Sequence, residues 1–251
     1  AIGYQSLNDL TSGGGNLAIG KNAGSTITTA SFNTYVGHES GVGDGTQHSR
    51  NTGLGYQSLK VATSGASNTA IGNQAGVALT TGDDNVAVGS SALSAATVTS
   101  KNTAIGTGAL SGLDKGSGGT QYTSGNIGIG HNALVGGVPA SGSFEYNIAI
   151  GNDALNSTGT SAGITGTIAI GASALTALTT GAGNTAIGHT ALAAQSVGNF
   201  NTAIGYQALA QSTKTGTAGN TAVGYKAGYA CVAAGYANTF IGINAGVSTT
   251  A

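Results

Sequence analysis

The side chains able to do acid–base, nucleophilic or metal chemistry are few in this chain. Its 251 residues include four histidines, one cysteine and eight carboxylates. His38, His131 and His189 each follow a glycine of a recurring motif, in a column that also holds Tyr, Lys, Asn and Ser. That variability reads as solvent-facing substitution. With His48 included, no pair has the spacing of metal ligands. Serine is abundant, but no Gly-x-Ser-x-Gly elbow is joined to a His and an acid. Cys231, in Ala-Cys-Val-Ala, reads as a small packed apolar residue. Asp44, Asp83 and Asp84 lie in Gly-rich loops, yet neither loop recurs along the chain as a calcium-binding repeat would. Gly41 to Gly45 lack the Lys-Ser/Thr of a phosphate loop. The residues therefore predict no catalytic group, no metal and no cofactor, and a protein that is not an enzyme.

The aromatic residues are the other candidates. Tyr4, Tyr56, Tyr206 and Tyr225 each follow a repeat glycine and precede Gln or Lys. Together with Tyr122 and Tyr146 they are candidate glycan or inter-chain contacts, and shielding of a turn edge is the competing reading.

What must position them is a repeat. The core reads Asn-Thr-Ala-Ile-Gly-x-x-Ala-(Leu or Gly), in 14 copies mostly 17 residues apart. The residue before the glycine is always branched: Ile2, Ile19, Val36, Leu54, Ile71, Val88, Ile105, Ile129, Ile150, Ile170, Ile187, Ile204, Val223 and Ile241. Two before the glycine, Ala stands in ten copies. Four before it, Asn stands in 12 of 13: Asn16, Asn33, Asn51, Asn68, Asn85, Asn102, Asn126, Asn147, Asn184, Asn201, Asn220 and Asn238, with Thr167 the exception.

Alternation with period 2 makes Asn-Thr-Ala-Ile a short strand, with Thr and Ile on one face and Ala and Gly on the other. The branched column is assigned to the interior as the structural core, and the small Ala/Gly face to the outside. The glycine turns the chain where a side chain would clash. A second short strand is expected through Ala-Leu. Where Gly replaces Leu, the next residue is usually large (Val42, Val77, Tyr229, Val247), as though one core filler per rung were kept. The Asn column is either an internal amide ladder or a series of turn-formers.

Composition agrees. Glycine supplies 46 residues, and charged residues are only 6%. Helical repeats are longer, and helices avoid this much Gly, Thr and Asn. A 17-residue rung fits an all-β parallel β-solenoid (a β-roll or β-helix) of about 14 rungs, roughly 60 Å long at about 4.8 Å per rung. Stacked like charges at that spacing would repel by about 0.9 kcal/mol per pair even in water, which accounts for the missing charge. The net charge of -1 removes the electrostatic basis for nucleic-acid binding. No apolar stretch predicts membrane insertion. Residues 1–251 read as a single array with longer loop insertions in 107–150, a candidate receptor-facing surface, and as a segment of a longer fibre protein.

The copies at 201–209 (Asn-Thr-Ala-Ile-Gly-Tyr-Gln-Ala-Leu), 68–76 and 220–228 resemble head repeats of trimeric autotransporter adhesins of the YadA type. They also look similar to repeats of phage tail-fibre and other microbial surface-fibre proteins. The resemblance implies an extracellular attachment module on a cell or virion surface. It further implies a homotrimer; from the residues, self-association as a homotrimer or a head-to-tail filament is expected, and the tyrosines make cell-surface glycans candidate partners. The 17-residue period departs from the usually shorter adhesin repeat. From the residues alone, the expectation is a structural fibre or adhesive filament. An ice-binding flat-faced solenoid is the alternative, disfavoured because alternation places Thr with the supposedly buried Ile. A polysaccharide-degrading β-helix enzyme is a third reading, and it lacks clustered acids.

Overall fold

The computed structural model describes residues 1–43, 48–113, 123–136, 143–156, 163–212, 219–231 and 237–248. They contain no helix and fall into two compact units, one holding the described residues up to 113 with 123–125, the other those from 126 onward. The first unit carries strands β1 (Leu17–Ile19), β2 (Thr34–Val36), β3 (Thr52–Leu54), β4 (Thr69–Ile71), β5 (Val86–Val88) and β6 (Thr103–Ile105). The second carries β7 (Ile127–Ile129), β8 (Ile148–Ile150), β9 (Ile164–Thr165), β10 (Ile168–Ile170), β11 (Gly181–Ala182), β12 (Thr185–Ile187), β13 (Thr202–Ile204), β14 (Thr221–Val223) and β15 (Thr239–Ile241).

Each unit is a parallel β-solenoid built on the expected repeat. In the first, β1 to β6 pair in sequence order. In the second, β7, β8, β10, β12, β13, β14 and β15 pair in that order, and β9 with β11 makes a second, smaller ladder. The register has no slip, so Thr185, Thr202, Thr221 and Thr239 are successive partners. The first of the 14 repeats contributes only an isolated bridge, Ile2 to Ile19, so there are fewer complete rungs than repeats.

Hydrogen bonds run from rung to rung. The Thr202 N–H donates to the Asn220 carbonyl (2.7 Å) and the Gly205 N–H to the Ile187 carbonyl (2.7 Å). The repeat glycine is needed twice over. Gly188 has φ +137°, and a Cβ there would stand 2.3 Å from the Gly205 carbonyl oxygen. Backbones therefore stack glycine on glycine, and no side chain fits between them.

The second strand expected through Ala-Leu does not form. Gln207 (φ 56°) and Leu209 (φ 50°) both adopt left-handed backbone, which turns the chain too sharply for extended pairing. The segment still bonds along the stack: the Gln207 N–H donates to the His189 carbonyl and the Leu209 N–H to the Ala227 carbonyl, each at 3.0 Å. Left-handed backbone costs a non-glycine residue roughly 1–2 kcal/mol. Burial of the Leu209 side chain and its rung-to-rung bond offset that cost.

The assignment of faces is reversed. The interior is the Ala column: Ala18, Ala104, Ala149, Ala169, Ala186, Ala203 and Ala222 are each 0% exposed. The branched column faces out. Ile2, Leu54, Ile105, Ile187, Ile204 and Ile241 are exposed. Ile19, Val36, Ile71, Val88, Ile129, Ile150, Ile170 and Val223 are half-buried by their neighbours above and below. The interior is completed by Ala or Ser and Leu of the turn, including Leu59, Leu93, Leu110, Leu155, Leu175 and Leu192.

The reason is volume. Large residues enter the Ala column only where glycine makes room. Tyr35 is fully buried, and a Cβ on Gly41 would lie 2.4 Å from its ring and one on Gly53 3.0 Å from it. Phe240 stands in the same way against Gly228 and Gly246, where an added Cβ would lie 2.8 and 2.2 Å from its ring. At these two strands the glycines of the Leu/Gly column answer the size of the strand residue, whereas Gly76 stands beside Ala70. The neighbours expected to refill the core do not do so: Val42, Val77 and Tyr229 are half-buried and Val247 is exposed. Ile27 and Leu79, three residues after Gly24 and Gly76, fill the space instead.

Candidate functional site

The Asn column is an internal ladder, which decides between the two readings left open by the sequence. Asn33, Asn51, Asn68, Asn85, Asn102, Asn126, Asn147, Asn184, Asn201 and Asn220 are buried, while Asn16 and Asn238 are half-buried. Within each unit the side-chain oxygens cap the backbone of the following rung. The Asn51 N–H donates to Asn33 Oδ1 (2.9 Å), Asn68 N–H to Asn51 Oδ1 (2.8 Å) and Asn201 N–H to Asn184 Oδ1 (3.0 Å). The amide nitrogens donate to loop carbonyls, Asn68 to Gly82 and Asn184 to Gly198, at 2.8 and 2.7 Å. This column is occupied with itself and offers nothing to a ligand.

The outer face of the strands is different. Its Thr and Ile columns are in register and have no covering layer among the described residues. In the second unit the face comprises Thr185, Thr202, Thr221 and Thr239 beside Ile187, Ile204, Val223 and Ile241. Phe200, 64% exposed, extends the β13 row at one end, and Tyr206 lies beyond the glycine at the other. Phe32 and Phe200 were not legible as surface residues from periodicity. The signal was an aromatic directly before the Asn, at a left-handed corner (φ 61° and 57°) where each ring covers a glycine of the preceding rung.

Of the tyrosines singled out, Tyr4, Tyr56, Tyr206, Tyr225 and Tyr146 are exposed. Tyr122 lies outside the described residues. Tyr56 stacks on His38 (5.5 Å between centroids), while His189, Tyr206 and Tyr225 form a continuous stack at 5.2 and 5.4 Å. Lys226 Nζ lies 5.4 Å from the Tyr225 ring centre, within cation–π range. Tyr146 stands apart, at the residue before Asn147 rather than after a glycine. Much of the central insertions, residues 114–122 and 137–142, lies outside the described residues. Of their flanks, Phe144 is buried and its carbonyl accepts from Asn126 Nδ2 (2.9 Å), so it serves the core.

Titratable groups are mostly dispersed. Among the described residues no three of His, Cys, Asp and Glu come together as a metal site, and no helix is long and apolar enough to cross a membrane. Glu39 is held below the usual carboxylate range by its hydrogen bond to Lys60 and, less, by Gln57. His48 and Tyr35 form a buried pair, Tyr35 Oη to His48 Nδ1 at 3.1 Å, while His48 Nε2 has no partner among the described residues. Burial lowers the His48 pKa, with the Gly43 backbone pulling weakly the other way, and burial raises that of Tyr35.

No family model, no curated protein sequence and no solved structure matches this chain.

Proposed function

We propose that this β-solenoid repeat protein is structural, a rigid extracellular module that self-associates into a multi-chain fibre or adhesive surface filament. Its work is mechanical spacing and attachment rather than catalysis. One observation carries the reading: the branched residues of every rung point outward in register, forming an apolar strip that continues from strand to strand. Ile105, Ile187 and Ile204 keep 39%, 36% and 38% of their surface exposed. Contiguous exposed apolar surface of this kind marks an association site. The resemblance of the repeats to trimeric adhesin heads and phage fibres favours a homotrimer, placed outside the cell or on a virion. The contact is assigned to the Ile face, since the Ala face is already buried.

The test is the mass of the chain in solution by light scattering, with electron microscopy of the particles. The expected result is a multi-chain species that the Ile187→Asp/Ile204→Lys double variant, whose opposite charges face each other in register, converts to folded monomer with a fall of only a few degrees in melting temperature. A wild-type chain that stays monomeric at high concentration would overturn the reading.

A second reading has one specific observation in its favour. The Thr column, expected to be buried with Ile, lies outward, and four threonines of the second unit repeat along successive rungs. Such a regular array of hydroxyl and methyl groups is a surface able to order water and bind ice. Thermal hysteresis measured on the monomeric fraction tests it, and its absence at high protein concentration removes it.

A further inference from the structure

Both units carry stacked aromatic rings just after the repeat glycine, and their polar atoms are used differently. In the first unit the column beside the rings is closed on itself. Gln74 Nε2 donates to Gln57 Oε1 (3.1 Å), Gln57 Nε2 donates to Glu39 Oε2 (2.8 Å), and Lys60 pairs with the same carboxylate at 2.8 Å. In the second unit the equivalent column beside His189, Tyr206 and Tyr225 is Thr190, Gln207 and Lys226. The Thr190 hydroxyl lies 3.3 Å from His189 Nδ1. The side chains of Tyr206, Gln207 and Tyr225 make no hydrogen bond among the described residues.

Stacking determines what this stripe can recognise. The planes of His189 and Tyr206 lie 10° apart and those of Tyr206 and Tyr225 9° apart, so Tyr206 has a ring against each face. A sugar that would lie flat on Tyr206 finds both faces taken. What reaches solvent is the edges of Tyr206 and Tyr225 with their two hydroxyls, flanked by the Gln207 amide and the Lys226 ammonium group. Two hydroxyls on successive rungs, about 4.8 Å apart, suit an extended ligand that presents a hydroxyl-bearing edge at a similar interval. Extended β-1,4-linked polysaccharides advance by close to that distance per sugar.

We infer that the Tyr206–Tyr225 stripe binds an extended β-1,4-linked polysaccharide lying along the stack, one sugar to a rung. The phenol hydroxyls and the Gln207 amide exchange hydrogen bonds with sugar hydroxyls, and Lys226 donates from the neighbouring column. The inference deepens the fibre reading and rests on it for the surface that the fibre meets.

The test is co-sedimentation of the full chain with cellulose and with chitin, and calorimetric titration with cellohexaose. Wild-type protein is expected to bind at least one of the two polymers, and failure on both overturns the inference. The Tyr206→Phe/Tyr225→Phe double variant keeps both rings and loses only the hydroxyls. It should weaken binding about tenfold, as the loss of two hydrogen bonds implies; unchanged binding means that the ring edges do not read the sugar, and overturns it. Light scattering on the same samples separates this failure from failure of the fibre reading. The tyrosine variant should keep the wild-type mass, and loss of assembly would make the stripe an inter-chain contact instead. The Ile187→Asp/Ile204→Lys variant, conversely, should lose assembly and still bind the hexamer.

Discussion

Ala186 and Ile187 are neighbours in the chain and meet opposite environments. Ala186 is fully buried, while Ile187 keeps 36% of its surface exposed. The same contrast recurs at Ala104 and Ile105, and at Ala203 and Ile204. A transfer scale alone would reverse it, because burying a branched side chain is worth more than burying a methyl. The interior is instead selected by fit. Facing backbones, the Asn amides and the turn leucines leave room for a methyl group, and close-packed interiors tolerate little excess volume. Tyr35 and Phe240 show the rule from the other side, since each enters only against glycines.

The sharpest way to break this comparison is to exchange the sizes. Ala203→Ile puts a branched chain inward beside Leu192 and Leu209 with no glycine to receive it, and should cost about 3 kcal/mol, the upper range for overpacking. Chemical denaturation measures it. Adding Leu209→Gly should recover part of the loss, because that is the pairing found at Phe240. Ile204→Asp, one residue away but 38% exposed, should cost only about 1 kcal/mol, with its main effect appearing in assembly instead.

The Asn ladder gives the next largest effect. Asn184→Ala removes the acceptor of the Asn201 N–H and the donor to the Gly198 carbonyl. Leaving buried backbone groups unpaired should cost about 2 kcal/mol, read as a lower melting temperature. Acidification comes third. His48 is buried with a pKa lowered from 6.5, so the unfolded chain binds its proton first. Stability is therefore complete above about pH 6.5 and falls as pH drops below it. The difference between the denaturation midpoints of wild type and His48→Gln should be constant above that pH and change below it, where only the wild type loses stability to protonation of this residue.

A last effect, of opposite sign, is stabilising. Thr167 interrupts the Asn column of the second unit. Its backbone N–H still donates to Asn147 Oδ1, but its own hydroxyl is buried with no partner among the described residues. Thr167→Asn should restore the ladder from Asn147 to Asn184 and stabilise by about 1 kcal/mol. A lower midpoint in the variant would show that this rung has adapted its packing to threonine.

Much of the fold was legible because each repeat constrains the others. The 17-residue spacing and the fixed glycine lead to a parallel, in-register stack, and the Asn column is readable as ladder or turn. The second strand was not legible, because Ala-Leu alternates like a strand while Gln207 and Leu209 in fact turn left-handed. Nor was the compensating position legible. Ile27 and Leu79 act across the turn, three residues from the glycine they answer, where period-2 reasoning has no reach. The tyrosines after the glycine were visible as a column, but the sequence held no sign that Tyr206 and Tyr225 would leave their hydroxyls unpaired while Gln57 and Gln74 bond to each other.

Alternation and exact repetition are local properties of the chain, and they suffice to define two faces, to say which residues share each, and to stack equivalent residues without slip. Which face is inside is a property of the folded rung. That choice depends on the width of the space one rung encloses, and the width is set by the left-handed turn, the buried amides and the leucines that close it. The Ala column fits that space, and the Ile column is left outside.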